Sequence, residues 1–309
     1  MSYTHSFIVD FDVLVPEISS TEVEKFEVNG LDHSHYFLEY LNYSVLHNPF
    51  RKFPYFTASN IHGNLFKKIT RKELFKGKGD KWKKDKRIPR TEQLGQELYS
   101  AVKSDFDKGH LTKREDVQWG INRDEAIAAA ESTFFFTNAM PQVDKLNRGI
   151  WRKIEDYILH QQTITHNIKI NLFTGPVFLE DDPDFVTEIR DATIQIPYLF
   201  WKVIYYQSNN TLHRTGFLTS QKNLLEKRRI VKPAARGEDL TGSDLFMTFK
   251  DAETYQVRVE FIENISGLTF HEAAENFIED TPEELILSGV NVRSDQEIDI
   301  KNLKLNLIL

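Results

Sequence analysis

Phe7, Val9, Phe11, Val13 and Val15 alternate with polar residues, a period of two that predicts a strand ended by Pro16. From Tyr36 to Leu46 the chain is β-prone, Asn48-Pro49 turns it, and Arg51 to Asn60 supplies another aromatic strand, so the two form a predicted hairpin. The pattern changes at Asn122, which with Glu125 fits a capping box ahead of an alanine-rich run. Alanines favour a helix, and small side chains let it lie close to a sheet. Phe134-Phe135-Phe136 then reads as a buried strand delivering Asn138 to one end. A helical pattern opens at Asn147 and runs through Ile150, Ile154, Tyr157 and Ile158 to about His160. Residues 168–173 and 176–179 read as two strands interrupted at Thr174-Gly175, and residues 194–206 as a strand pair or one bent strand. Residues 255–259 alternate again, and residues 300–309 do so in part.

Strands and helices are interspersed, and no repeat or low-complexity linker divides the chain, which predicts an α/β (α+β) fold with a single principal domain. Its 309 residues allow a large core, and 28% charged with 12% aromatic residues fit a globular chain rather than a disordered one. With no cysteine, the fold uses no disulfide, thiolate metal site or cysteine nucleophile. No run approaches the apolar length of a membrane span. The first residues lack a basic stretch followed by an apolar run, so the expectation is a cytoplasmic protein in its producer, with non-classical export left open.

The formal charge of −7 disfavours a nucleic-acid partner only if it is evenly spread, and it is not. Residues 51–90 carry 14 Lys or Arg against 3 Asp or Glu, while residues 260–309 carry 3 against 11. A local basic surface is what a phosphate backbone meets. A solvated loop kept for solubility is the plainer account of the same lysines.

Candidate chemistry concentrates in residues 105–158. His110 follows Gly109 beside Lys108 and Asp107, and an imidazole titrates near neutrality, which suits a general base. Asn147, Trp151 and Glu155 recur every four residues and would form a line of neighbours along a helix. Each residue also has an ordinary reading: Asn147 as a helix cap, His110 as a turn residue, Glu155 as solvent-facing charge.

Three ordered motifs here resemble the DNA/RNA non-specific endonucleases, the sugar-non-specific branch of the ββα-metal nucleases. They are Asp107-Lys108-Gly109-His110, Asn138-Ala139-Met140-Pro141-Gln142, and Asn147 with Trp151 and Glu155. Thr174-Gly175-Pro176-Val177-Phe178 and Pro197-Tyr198-Leu199-Phe200-Trp201-Lys202-Val203 are similar to further family signatures, read here as filling the sheet core. The resemblance covers residues 31–275, leaving an N-terminal extension (1–30) and an acidic C-terminal extension (276–309). It implies central antiparallel sheets with packed helices and a ββα-metal motif. It also implies hydrolysis of DNA and RNA phosphodiesters with low sequence specificity, leaving 5′ phosphates. In that scheme Asn147 holds Mg²⁺ (or Mn²⁺ in its place), His110 deprotonates the attacking water, Glu155 orients water around the ion, and Asn138 braces the site. Arg87 is the expected phosphate contact among the basic residues before the first motif. Lys108 stands where the family has arginine, which keeps the charge but loses the planar fork. The family also implies a homodimer, and an intracellular nuclease of low specificity would need restraint, by an inhibitor or regulatory partner, assembly or compartment. A catalytically inactive nucleic-acid-binding protein is the alternative, and an interaction protein gripping an acidic partner a third.

Overall fold

The computed structural model describes residues 1–232, 254–275 and 288–290. Along the chain, β1 (Glu17–Ile18) and α1 (Ser20–Val28) precede the strands β2 (Phe37–Tyr40), β3 (Tyr43–Asn48) and β4 (Phe53–His62). The basic connection carries α2 (Arg71–Phe75) and α3 (Gln96–Tyr99), and β5 (Asp107–His110), α4 (Arg123–Ser132), β6 (Ala139–Gln142) and α5 (Trp151–Asp156) follow. The remainder is β7 (Lys169–Val177), β8 (Leu199–Ser208), β9 (Thr211–Ser220), α6 (Lys222–Arg228), β10 (Thr254–Val257), α7 (Val259–Ser266), β11 (Leu268–Thr269), β12 (Ala274–Glu275) and β13 (Ser288–Val290).

The main sheet runs β13-β10-β9-β8-β7-β4-β3-β2, and β12 adds to β9. Every neighbour along that path is antiparallel, so the two faces of each strand alternate in side chains. On β8, Trp201, Val203 and Tyr205 turn to one face; there Trp201 meets Phe270 edge-on at 5.1 Å. Ile204 and Tyr206 turn to the other, where with Ile61, Ile170, Leu172 and Phe217 they bury Ile154, Tyr157 and Ile158 of the helix that contains α5. Each fully buried aromatic or aliphatic side chain in these layers contributes about 2–3 kcal/mol. β5 and β6 pair with each other, Asp107 opposite Gln142 and His110 opposite Ala139. Two strands and the following helix make the ββα unit, and the mixed antiparallel architecture is the one expected.

Several elements differ from expectation. Residues 7–15 form no strand: Asp10 takes φ +66, which reverses the chain, and Val9 and Leu14 stay exposed while Ile8 and Val13 enter the core. The run 36–46 is two strands, because Asn42 (φ +69) makes a tight turn between β2 and β3. Residues 133–137 are not a strand either. Phe134 packs on Phe75 and Trp82, Phe136 on Tyr99 and the same Trp82, and Phe135 on Tyr40, and a 3-10 turn begins at Phe136. Gly175 does not break β7; a Cβ there would lie 2.4 Å from the Tyr55 carbonyl oxygen and 2.6 Å from the Trp201 ring, so the glycine lets β4, β7 and Trp201 close up. Strand β8 starts at Leu199, after an irregular approach. α4 is as expected, with Asn122 Oδ1 accepting from Glu125 N at 2.9 Å and Ala126, Ala129 and Ala130 buried. The alternating stretch 300–309 lies outside the described residues.

Residues 1–30 join the principal core rather than standing apart from it. β1 pairs with β11, Phe26 is fully buried, and Thr4 N donates to Asn60 Oδ1 at 2.7 Å.

Candidate active site

A cleft of about 840 Å³ opens where the ββα unit meets α2 and α3. His110, Asn147, Glu155 and Lys108 all line it, together with Asp107, Trp82 and Tyr99. Six cations (Arg71, Lys108, Lys113, Arg114, Arg148, Arg152) face four carboxylates (Asp80, Asp107, Glu115, Glu155), so the wall is net positive although the chain is acidic. Such a wall raises the local concentration of a polyanion.

His110 ends β5, its ring 4.6 Å from Trp82 and 4.9 Å from Phe134. Burial, with Arg71 and Arg114 nearby, pushes its pKa down to about 3, so the imidazole is neutral at pH 7. Its Nε2 is sealed off without a partner, which leaves Nδ1 as the nitrogen meeting the cleft. A Cβ at Gly109 would lie 2.0 Å from Gln142 Oε1, so a larger residue there would have to displace the buried Gln142 side chain.

Asn147 does not cap the helix. Its backbone N–H donates to Val143 O at 3.0 Å, and it sits in a wide π-helical turn, Leu146–Ile150, in which Gly149 departs from helical geometry (φ −93, ψ −119). π-Turns are common at functional positions. The Asn147 amide is oriented by Asp107: Nδ2 donates to Asp107 Oδ2 at 2.9 Å, and Oδ1 accepts nothing among the described residues. Asp107 also takes Arg148 Nε at 2.7 Å and Nη2 at 2.5 Å. Trp151, between Asn147 and Glu155, points inward and is 1% exposed.

Glu155 is buried up to its carboxylate, whose Oε1 lies 3.0 Å from Lys202 Nζ. Beneath the cleft Asp116 is buried with Oδ2 unpartnered, and burial raises its pKa to about 7. Glu115, Asp156 and His160 bring one ligand atom each within 4.8 Å of one another at the rim. Lys113 bridges Glu115 (3.1 Å) and Asp156, Arg114 pairs with Glu115 (3.0 Å) and Arg152 lies 3.8 Å from Asp156, so both carboxylates already have cationic partners.

Asn138 is placed behind the cleft, fully buried. Its Oδ1 accepts from Thr112 N at 2.9 Å, and its Nδ2 donates to the carbonyls of Thr112 and Thr133 at 3.0 Å each. It therefore fixes the chain as it leaves His110 and does not line the cleft. Arg87 is not in the cleft lining. Its guanidinium is held by Asp85 (Nη2 to Oδ2, 2.6 Å), donates to Glu39 O, and lies 4.6 Å over the Tyr40 ring. The arginines on the cleft wall are Arg71, Arg114, Arg148 and Arg152.

Asp107 stands in the first motif with no role assigned to it there, no motif marks Arg71, Lys113, Arg114 or Asp116, and Lys202 reads from sequence as core filling. A lysine inside the apolar run Phe200-Trp201-Lys202-Val203-Ile204 was the available signal, because a strand buried on both faces admits a charge only with a partner.

The donor set suits a hard divalent ion. An unengaged amide oxygen and nearby carboxylates are oxygen ligands of the kind Mg²⁺ prefers, and no thiol competes. No helix among the described residues is long and apolar enough to cross a membrane.

A family model described as DNA/RNA non-specific endonuclease matches residues 20–277. The protein y4fB of Sinorhizobium fredii is 36% identical over 195 residues, 60% of this chain and 27% of that protein. Mitochondrial endonuclease G of Homo sapiens is 27% identical over 174 residues, 54% of this chain and 48% of that protein. A nuclease of Serratia marcescens is 24% identical over 159 residues, 50% of this chain and 55% of that protein. The aligned segments thus span between 27% and 55% of these relatives. Among solved structures, a chain in the crystal structure of the EndoG/EndoGI complex gives a TM-score of 0.53 at 19% identity, covering 81% of this chain and 91% of that one, a likeness of fold.

Proposed function

This chain belongs to the DNA/RNA non-specific endonuclease family, and from that premise we propose that it hydrolyses phosphodiester bonds in DNA and RNA with little sequence preference, using Mg²⁺. The observation that carries this reading is the convergence of His110, Asn147 and Glu155 on one cationic cleft, with the imidazole neutral.

With its proton on Nε2, His110 offers the Nδ1 lone pair to a water, accepts that proton, and thereby generates the nucleophile. Asn147 would hold the ion through Oδ1, the end of its amide left open because Asp107 holds Nδ2. Glu155 accepts hydrogen bonds from water in the cleft and so fixes its orientation. Lys108, Arg71 and Arg148 neutralise substrate phosphates; contacts of this kind carry no sequence information, which accounts for low specificity. A bound Mg²⁺ supplies charge compensation at the phosphate and at the departing 3′ oxygen, consistent with 5′-phosphate products.

Basic residues continue from the cleft onto an exposed surface that includes Lys72, Lys76, Lys78, Lys81 and Lys83, a path for the flanking backbone. Such an activity inside a cell needs restraint. The EndoG neighbour is described in complex with EndoGI, and a protein inhibitor is part of the proposal for this chain.

The test is a plasmid and RNA cleavage assay with Mg²⁺ and with EDTA, on the parent and on His110→Ala. The expected result is Mg²⁺-dependent nicking that falls by at least about 10²–10⁴ in the variant. Retention of nucleic acid without cleavage by the parent establishes the inactive-binder alternative instead.

A further inference from the structure

We propose that Lys202 is a positioning residue for the hydrolysis proposed above, an inference that rests on that reading. Its buried ammonium ties the Glu155 carboxylate to the central sheet and so fixes the oxygen that Glu155 offers to the cleft.

Lys202 lies in the middle of β8, flanked by Thr174 on β7 and Phe217 on β9. Its side chain leaves on the same face as Ile204 and Tyr206, the face that carries the site helix, and it is 0% exposed. The ammonium has three partners: Glu155 Oε1 at 3.0 Å, Thr174 Oγ1 at 3.3 Å, and the face of the Trp151 ring with its centroid at 4.7 Å. Strand, hydroxyl and indole together leave the long lysine chain one place to put its charge.

Packing alone does not call for a lysine there. Its neighbours on that face are Ile204 and Tyr206, and an unbranched apolar side chain would continue the layer. Lysine is almost never fully buried unless it meets a partner charge. The partner here is the most deeply buried of the four carboxylates that share the cleft with His110 and Asn147. With Oε1 given to the ammonium, Glu155 keeps Oε2, which accepts no protein hydrogen bond among the described residues. The two helix-borne groups of the site are thus tied to different strands: Asn147 through Asp107 to β5, and Glu155 through Lys202 to β8.

Lys202 does not line the cleft, so its removal should change turnover without changing how nucleic acid binds. The experiment uses the full chain as parent, Lys202→Met, Glu155→Gln and the double variant. It measures kcat and KM on a defined duplex in Mg²⁺, and the affinity for the same duplex in EDTA. Lys202→Met is expected to lower kcat about 10- to 100-fold while KM and affinity in EDTA stay within about twofold. Adding Lys202→Met to Glu155→Gln should lower kcat no further, because the lysine acts only through that carboxylate.

Parent kcat in Lys202→Met, or the same fractional loss in both backgrounds, overturns the inference. If Lys202→Met fails to fold because it strands the Glu155 carboxylate, the double variant, which removes both charges of the pair, is compared with Glu155→Gln, with melting curves confirming that each is folded. Equal kcat in those two supports the role, and a further drop in the double variant overturns it. A parent that never cleaves sinks the hydrolytic reading and this inference with it, whereas a cleaving parent indifferent to Lys202 sinks this inference only.

Discussion

Replacing Asp107 with alanine should weaken the use of Mg²⁺ while leaving the fold in place. In the structure the carboxylate accepts from Asn147 Nδ2 at 2.9 Å and from Arg148 twice, and its side chain is 18% exposed. Losing Arg148 matters little, because that side chain is 70% exposed and its pairing is screened. The Asn147 bond is different, since it decides which end of the amide faces the cleft. A hydrogen bond to a charged acceptor contributes about 1.5–3 kcal/mol, and about 1.4 kcal/mol is tenfold in an equilibrium, so half-saturating Mg²⁺ should rise by up to about 10- to 150-fold. If the freed amide merely flips between two equal orientations, the rise is only about twofold, the lower bound of the same argument. Asp107→Asn keeps an acceptor but not the charge, and a neutral bond of about 0.5–1.5 kcal/mol should place it between the parent and the alanine variant. Nicking rates across a Mg²⁺ series, with calorimetric Mg²⁺ binding alongside, measure both. A folded Asp107→Ala protein with the parent's half-saturating Mg²⁺ would refute the orientation argument.

Three further outcomes follow from the geometry. Because burial and two arginines hold the His110 pKa near 3, NMR titration of metal-free protein should show its ring neutral down to about pH 4, and an inflection near 6 would contradict this. The unfolded imidazole takes up a proton below about 6.5, so the stabilisation linked to His110 is complete above that pH, shrinks as pH falls, and is gone at about 3. Asn138→Ala strands Thr112 N and two carbonyls in the interior, and urea unfolding should register a loss of about 2–5 kcal/mol. Arg87→Ala should lower the melting temperature through Asp85 and Tyr40 yet leave kcat/KM within about threefold; a loss beyond about 100-fold would restore it to the substrate.

What the sequence disclosed were features with a local or periodic cause. The Asn122 cap, the alanine face of α4, and the spacing of Asn147 and Glu155 are readable because a helix places neighbours by rule. What it concealed depends on contacts between distant segments. Gly175 looks like a break until Tyr55 and Trp201 close on it, and the three phenylalanines look like a strand until a 3-10 turn takes over at Phe136. Arg87 was chosen for its charge and place in the chain, but the buried Asp85 decides where its guanidinium goes. The charge at Lys202 was visible, but its object was not, because Glu155 is on a different element.

The helix carrying Asn147 and Glu155 rests on Ile61, Ile170, Leu172, Ile204, Tyr206 and Phe217. Five of those six residues are synthesised after the helix itself, the last of them on β9. A polypeptide still emerging from the ribosome has no floor under this helix until Phe217 has cleared the exit tunnel. For a protein proposed to cut RNA, the order of translation keeps the cleft unassembled while ribosomal RNA is at its closest.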